Sequence, residues 1–221
     1  MNEILRKYIK FISLAAKFSL LRTLQIQELE KLKIVGSVLD LGSSPNKINN
    51  VTNYLKNINI IVFANKFSNE DNVIKLDLEV YRNYFTKKFD NVCLFNVLEH
   101  IKEYKNCLKI AYDSLNPEGI LIGSTPFIFK IHFSPNDYFR FTNQLLKEEM
   151  SAIGFKNIEV IELGKGFFSC LYSIAYDPIK RIPFLNIVII NICLFLDYLI
   201  SVLFKNYKKS VPIGYFFVAQ K

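Results

Sequence analysis

Apolar residues recur three or four apart through positions 2–33, with Ile4, Tyr8, Phe11, Ile12, Ala15 and Phe18 on one stripe. That spacing predicts one or two amphipathic helices that pack across the domain or cover a site. After Lys33 the texture shortens to β-rich runs at 37–42, 59–64, 72–76, 90–95 and 119–124. Helices are predicted between them, over 47–57 and 102–115, and such alternation argues for a parallel sheet covered on both faces. Thr142 reads as the cap of a further helix reaching Ala152, and "GFKNIEVIELG" reads as a strand. An apolar block fills 184–204 before a closing strand in "PIGYFFVAQK". No internal repeat or low-complexity tract interrupts this order.

Parallel sheets bind ligands at the carboxyl ends of their strands. The polar residues worth following are therefore at 40–46, at Asn65 and Asp77, and at 96–100 and 125–140. Composition narrows the setting. Half of the 221 residues are hydrophobic, which supports a real core and excludes disorder. A net charge of +8 favours anionic surroundings without choosing among nucleic acid, phospholipid and phosphorylated substrate. Cys93, Cys107, Cys170 and Cys193 share no close spacing, so neither a metal site nor a redox pair is expected, and free thiols suit a reducing cytosol. Lys10, Lys17 and Arg22 break the N-terminal apolar run, which does not read as a signal peptide.

The order of several motifs carries more. "VLDLG" is followed about fifty residues later by "FDNVCLFNVLEHI", then by "LNPEGILIGSTP", then by "IGF" and a strand. This order resembles the class I S-adenosylmethionine-dependent methyltransferases, in particular the methyltransferase-domain proteins with an "LEH" signature. The stretch "HFSPNDYFRFT" is similar to the H-x-x-P-x-D-Y-x-R-[YF]-T run of a subgroup associated with cell-surface polysaccharide biosynthesis. The resemblance spans about 34–164 plus the last strand. It implies a Rossmann-like, seven-stranded, mostly parallel α/β sheet with an antiparallel last strand, helices on both faces and an apolar helical insertion before that strand. The chain then divides into a helical segment (1–33), the core (34–165), an apolar and basic insertion (166–210) and the final core strand (211–221).

Candidate residues follow from both readings. Asp40 ends the first strand, where its carboxylate orients the turn or meets the cofactor's ammonium, and Gly42 lets the backbone bend close to a ligand. The family's D-x-G-x-G-x-G run becomes Asp40-Leu41-Gly42-Ser43-Ser44-Pro45-Asn46, with small Ser44 and turn-tolerant Asn46 for the missing glycines. Asn65 stands where the resemblance implies a ribose-binding acid, Asp77 stands near the implied adenine site, and Asn96 begins the methionine end. Glu99 and His100 either face the substrate or cap the 102–115 helix. In the long loop, His132 suits a general base oriented by Asp137, while Tyr138 and Arg140 would bind substrate. The alternative for Asp137 and Arg140 is an ion pair that fixes the loop.

The block "FLNIVIINICLFLDYLISVLF" has 21 residues, enough to span a bilayer. Its polar residues Asn186, Asn191, Asp197, Ser201 and Lys205 share an arc of roughly 140° on a helix. The chain must also return to the sheet. Both points favour a helix lying on an anionic membrane surface through 180–209, against protein packing or a dimer interface. The expected function is S-adenosyl-L-methionine-dependent O-methylation of a sugar in a cell-surface glycan or lipid-linked precursor, at the cytoplasmic membrane face. The alternatives are a quinone or lipid methyltransferase and a non-catalytic membrane tether. The basic residues cluster in the ends and the insertion, without an N-P-P-Y-like run, which argues against nucleic acid.

Overall fold

A computed structural model of the chain describes residues 2–46, 50–133, 135–164, 166–204 and 211–221. Seven strands form one sheet: β1 (Gly36–Leu41), β2 (Ile58–Ala64), β3 (Val73–Ile74), β4 (Phe89–Phe95), β5 (Leu115–Pro126), β6 (Lys156–Leu163) and β7 (Gly214–Gln220). Their order is β3-β2-β1-β4-β5-β7-β6. All run parallel except β7, which inserts antiparallel between β5 and β6. The chain reverses its direction of travel across the sheet between β1 and β4, which opens a crevice beyond their carboxyl ends.

Among the described residues the α-helices are α1 (Glu3–Ala15), α2 (Leu20–Leu29), α3 (Tyr104–Ser114), α4 (Asn143–Ile153), α5 (Phe167–Ile179) and α6 (Pro183–Leu203). Alternate strand residues feed two cores. Leu39, Leu94, Leu121 and Phe217 pack with Leu108 of α3 and Met150 of α4. Val38, Cys93, Ile122 and Phe216 pack with Phe11 of α1, Ile26 of α2, Tyr172 of α5 and Ile190 of α6. Strands buried on both faces explain the near-continuous apolar run of β4.

The helix predicted over 47–57 is a correction. Residues 47–49 lie outside the described residues, and beyond them only a 3-10 turn forms, Val51–Tyr54. Asn50 Oδ1 accepts from Thr52 N at 3.0 Å, and Thr52 Oγ1 donates to Asp40 Oδ2 at 2.7 Å. Side-chain bonds of this kind hold a turn in place of a helix.

The sheet centre also accounts for Gly123. A Cβ there would lie 2.5 Å from Leu94 O and would collide with the Phe217 ring. Gly123→Ala should therefore cost about 1–3 kcal/mol by overpacking. Calorimetric unfolding should show Tm falling by about 2–4 °C per kcal/mol for a chain of this size.

Candidate active site

One crevice of about 440 Å³ opens at the strand ends, a volume in the range of small-molecule sites. Gly42, Asn65 and Asn96, each directly after a strand, line it with Asp77, three residues beyond β3. Gly42 has φ +89°, its N–H donates to Ala64 O at 2.7 Å, and a Cβ on it would sit 2.7 Å from Val97 Cγ2. The position therefore requires glycine. Asn65 braces this turn: its Nδ2 donates to Gly42 O at 3.3 Å, and its Oδ1 accepts from Phe67 N at 2.9 Å.

Asp40 and Ser44 do not line the crevice, contrary to the expectation that both touch the cofactor. Asp40 is buried and accepts from Thr52 Oγ1, which is its turn-orienting alternative. The turn presents Ser43 instead of Ser44, and Asn50 joins from the segment after it.

Asp77 holds Lys66 Nζ at 2.6 Å and accepts from Glu79 N at 3.1 Å. The Lys66 hydrogen bond keeps its carboxyl below the usual carboxylate range. Asn96 has a left-handed φ of +54°. Its amide exchanges hydrogen bonds with Gln25 of α2, Gln25 Nε2 to Asn96 Oδ1 at 2.8 Å and Asn96 Nδ2 to Gln25 Oε1 at 3.2 Å. This clip lays α2 over the crevice, where Ser19, Leu21 and Arg22 line it. Burial lowers the Arg22 pKa, opposed by the carboxylates of Glu99 and Asp40.

At the far end, a 3-10 turn, Leu98–His100, carries the "LEH" residues. Neither Glu99 nor His100 caps the following helix, because α3 begins after Glu103 with no side-chain cap. Both line the crevice with His132 and Tyr138. Glu99 is fully buried; its Oε2 accepts from Thr125 Oγ1 at 3.3 Å, and its Oε1 has no hydrogen-bond partner among the described residues. Burial pushes its pKa up to about 8. His100 Nδ1 bonds the carbonyl of Asn136, which leaves Nε2 facing Glu99 Oε1 at 3.8 Å. The His100 and His132 rings meet edge to face with centroids 4.8 Å apart. Burial first, and then His100, lowers the His132 pKa and favours the neutral imidazole.

Asp137 accepts from the His132 N–H at 2.9 Å, and its Oδ2 lies 3.4 Å from His132 Nδ1. It also forms a forked pair with Arg140, whose Nη2 donates to Asp137 Oδ2 at 2.7 Å and to Lys130 O at 3.2 Å. The Arg140 hydrogen bond pulls the Asp137 carboxyl down to about 2. Neither residue lines the crevice. Arg140, expected to bind substrate, instead fixes the loop, as its alternative reading had it. Tyr138 N donates to Glu99 O at 2.8 Å and ties this loop to the "LEH" turn.

Sequence reasoning missed Arg22, Gln25, Lys66 and Phe129. The two α2 residues sit among apolar neighbours that read as core, and only the Gln25–Asn96 clip and the place of Arg22 along the crevice show them to belong to the site. The donor set is also new: Glu99, His100 and His132 offer ligand atoms within 4.8 Å of one another, although the cysteines are dispersed.

The fold has counterparts among known proteins. A family model described as "Methyltransferase domain" matches residues 18–160. No curated protein matches the chain. Among solved structures, it is similar to a SAM-dependent methyltransferase from Archaeoglobus fulgidus (16% identity, 90% of this chain and 94% of that one, TM-score 0.55). It is also similar to a possible histamine N-methyltransferase from Thermotoga maritima (15% identity, 99% and 96%, TM-score 0.55). A third is phosphoethanolamine N-methyltransferase 2 from Haemonchus contortus, solved with S-adenosyl-L-methionine (16% identity, 89% and 52%, TM-score 0.51). With well over half of its length matched by that model, and with its crevice at the sheet's reversal point, this chain belongs to the methyltransferase-domain family.

Proposed function

We propose that the protein is an S-adenosylmethionine-dependent methyltransferase acting on a hydroxyl of a cell-surface sugar or its lipid-linked precursor. The observation that carries the reading is one continuous crevice running from Gly42 to the Glu99, His100 and His132 cluster. The residues present fit the cofactor. Leu76, Leu78 and Val97 supply apolar walls for an adenine, Asn65, Asp77 and Glu79 supply acceptor oxygens for ribose hydroxyls, and Arg22 supplies a cation for a carboxylate. When bound, S-adenosylmethionine supplies a methyl group on a sulfonium, transferred to the acceptor oxygen with the bonding pair left on sulfur. At the acceptor end, neutral His132 takes the hydroxyl proton, and Asp137 beside Nδ1 steadies the ring.

The membrane part of the proposal rests on α6. Phe184–Leu203 is long and apolar enough to cross a bilayer, and 11% of it is buried. Its polar stripe is turned inward. Asn186 Nδ2 donates to Ala15 O at 3.0 Å, and Asp197 accepts from Phe168 N and Ser169 N at 2.9 and 2.8 Å, serving the open N-terminus of α5. Lys205 lies outside the described residues. Phe184, Ile192, Phe195 and Val202 face outward. With Lys180 and Arg181 at the α5–α6 junction, this face suits the anionic inner surface of a cell membrane.

Calorimetry with S-adenosylmethionine tests the enzyme reading. The wild type should bind, and Gly42→Ala should bind about tenfold more weakly or worse, because a side chain at positive φ displaces the turn. Failure of the wild type to bind would leave a non-catalytic tether.

A further inference from the structure

We propose that Glu99, His100 and His132 form a binding site for a divalent transition-metal ion at the acceptor end of the crevice. Their ligand atoms already lie within 4.8 Å of one another, on two segments that fold together through the Tyr138 N to Glu99 O bond. The hydrogen bonds leave these atoms short of donors. With His100 Nδ1 bonded to the Asn136 carbonyl, its Nε2 is turned towards Glu99 Oε1 at 3.8 Å, beyond hydrogen-bond distance, so neither atom satisfies the other. Glu99 Oε1 is buried with no hydrogen-bond partner among the described residues, and Asp137 Oδ2 lies 3.4 Å from His132 Nδ1. An unpaired buried polar atom is costly, and a metal ion removes the Glu99 vacancy.

The donor set selects the ion class. Two imidazoles and a carboxylate suit zinc, cobalt or ferrous iron, whereas magnesium and calcium prefer all-oxygen shells. Bonds of about 2.0–2.2 Å would draw the donors to about 3.3–3.6 Å from each other in a tetrahedral site. Outer partners that hold such ligands are in place: Thr125 Oγ1 on Glu99, the Asn136 carbonyl on His100 and Asp137 beside His132.

Three protein ligands leave a fourth position, open to the crevice, for an acceptor oxygen. A hydroxyl bound there keeps its O–H electron pair on the metal-bound oxygen and passes its proton to water. The inference deepens the methyltransferase reading, since it assigns the metal-loaded acceptor end a Lewis acid; without the ion, His132 keeps its role as base.

The test uses the full chain, stripped with chelator, without cofactor or acceptor. Zinc is titrated by calorimetry and cobalt(II) by visible absorption. One equivalent should bind, cobalt should show intense tetrahedral bands, and Glu99→Gln, His100→Asn and His132→Ala should each weaken binding by about tenfold or more. Cys193→Ser, which removes the most accessible thiol, should change nothing. Absence of a stoichiometric site in the wild type, or wild-type affinity retained in all three variants, overturns the inference. S-adenosylmethionine binding, measured on the same stripped protein, fails or succeeds independently.

Discussion

His132→Ala should lower methyl transfer by about 10²–10⁴-fold in metal-stripped enzyme, the span expected for loss of a general base, while leaving cofactor affinity essentially unchanged. The separation follows from the crevice. The cofactor end is built from turns after β1, β2 and β3, whereas His132 enters from the loop after β5 and touches His100 and Phe129. Two of the bonds that hold the loop do not involve the His132 ring: Asp137 takes the His132 backbone N–H and the Arg140 guanidinium, and alanine preserves both. The measurement pairs cofactor calorimetry with transfer of labelled methyl to a membrane glycan fraction that the wild type methylates. Unchanged turnover would remove His132 from the chemistry, whereas lost cofactor binding would show that the loop had collapsed.

The second large effect concerns α6. Ile192→Glu with Phe195→Glu should weaken association with anionic vesicles by about 10–10²-fold. With roughly half of each side chain still in water, each contributes about 0.8–1.8 kcal/mol on transfer, and about 1.4 kcal/mol is a factor of ten. Both side chains are more than half exposed, at 52% and 60%, so the fold should persist with unchanged thermal unfolding. Co-sedimentation with anionic and with neutral vesicles reads the result. Vesicle binding that survives the double substitution would refute the docking face. Absence of wild-type vesicle binding, together with a dimer that the substitutions dissociate, would assign the face to a second copy of the chain.

These expectations differ in how much of their basis is legible along the chain. The alternation of β-rich and helical runs led to the sheet because strand and helix periods are local properties, visible wherever one face must be buried. Thr142 capping α4 is equally local, its Oγ1 accepting from Leu145 N at 3.2 Å. The segment after β1 was misread because its short polar side chains compete for backbone partners, and whether Asn50 and Thr52 bond the turn or solvent depends on Asp40 arriving beside them. Rules about strand ends located Gly42, Asn65, Asp77 and Asn96 at the crevice. They did not separate Ser43 from Ser44, since side-chain direction in an irregular turn follows dihedral angles that residue names do not specify.

The sequence by itself determined the layered α/β sheet, the ligand-bearing strand ends, the dispersed thiols and the presence of one long apolar helix. All of these follow from local periodicity and composition. Only the tertiary structure decided which way that helix faces, putting Asn186 and Asp197 inward against Ala15 and α5 and leaving the apolar side outward. It alone set Arg140 on Asp137, clipped Gln25 to Asn96, and brought Glu99 and His100 beside His132. Partners distant along the chain meet only when strands from separate segments close into one sheet, and their chemistry then depends on burial and distance, neither of which is written in any single segment.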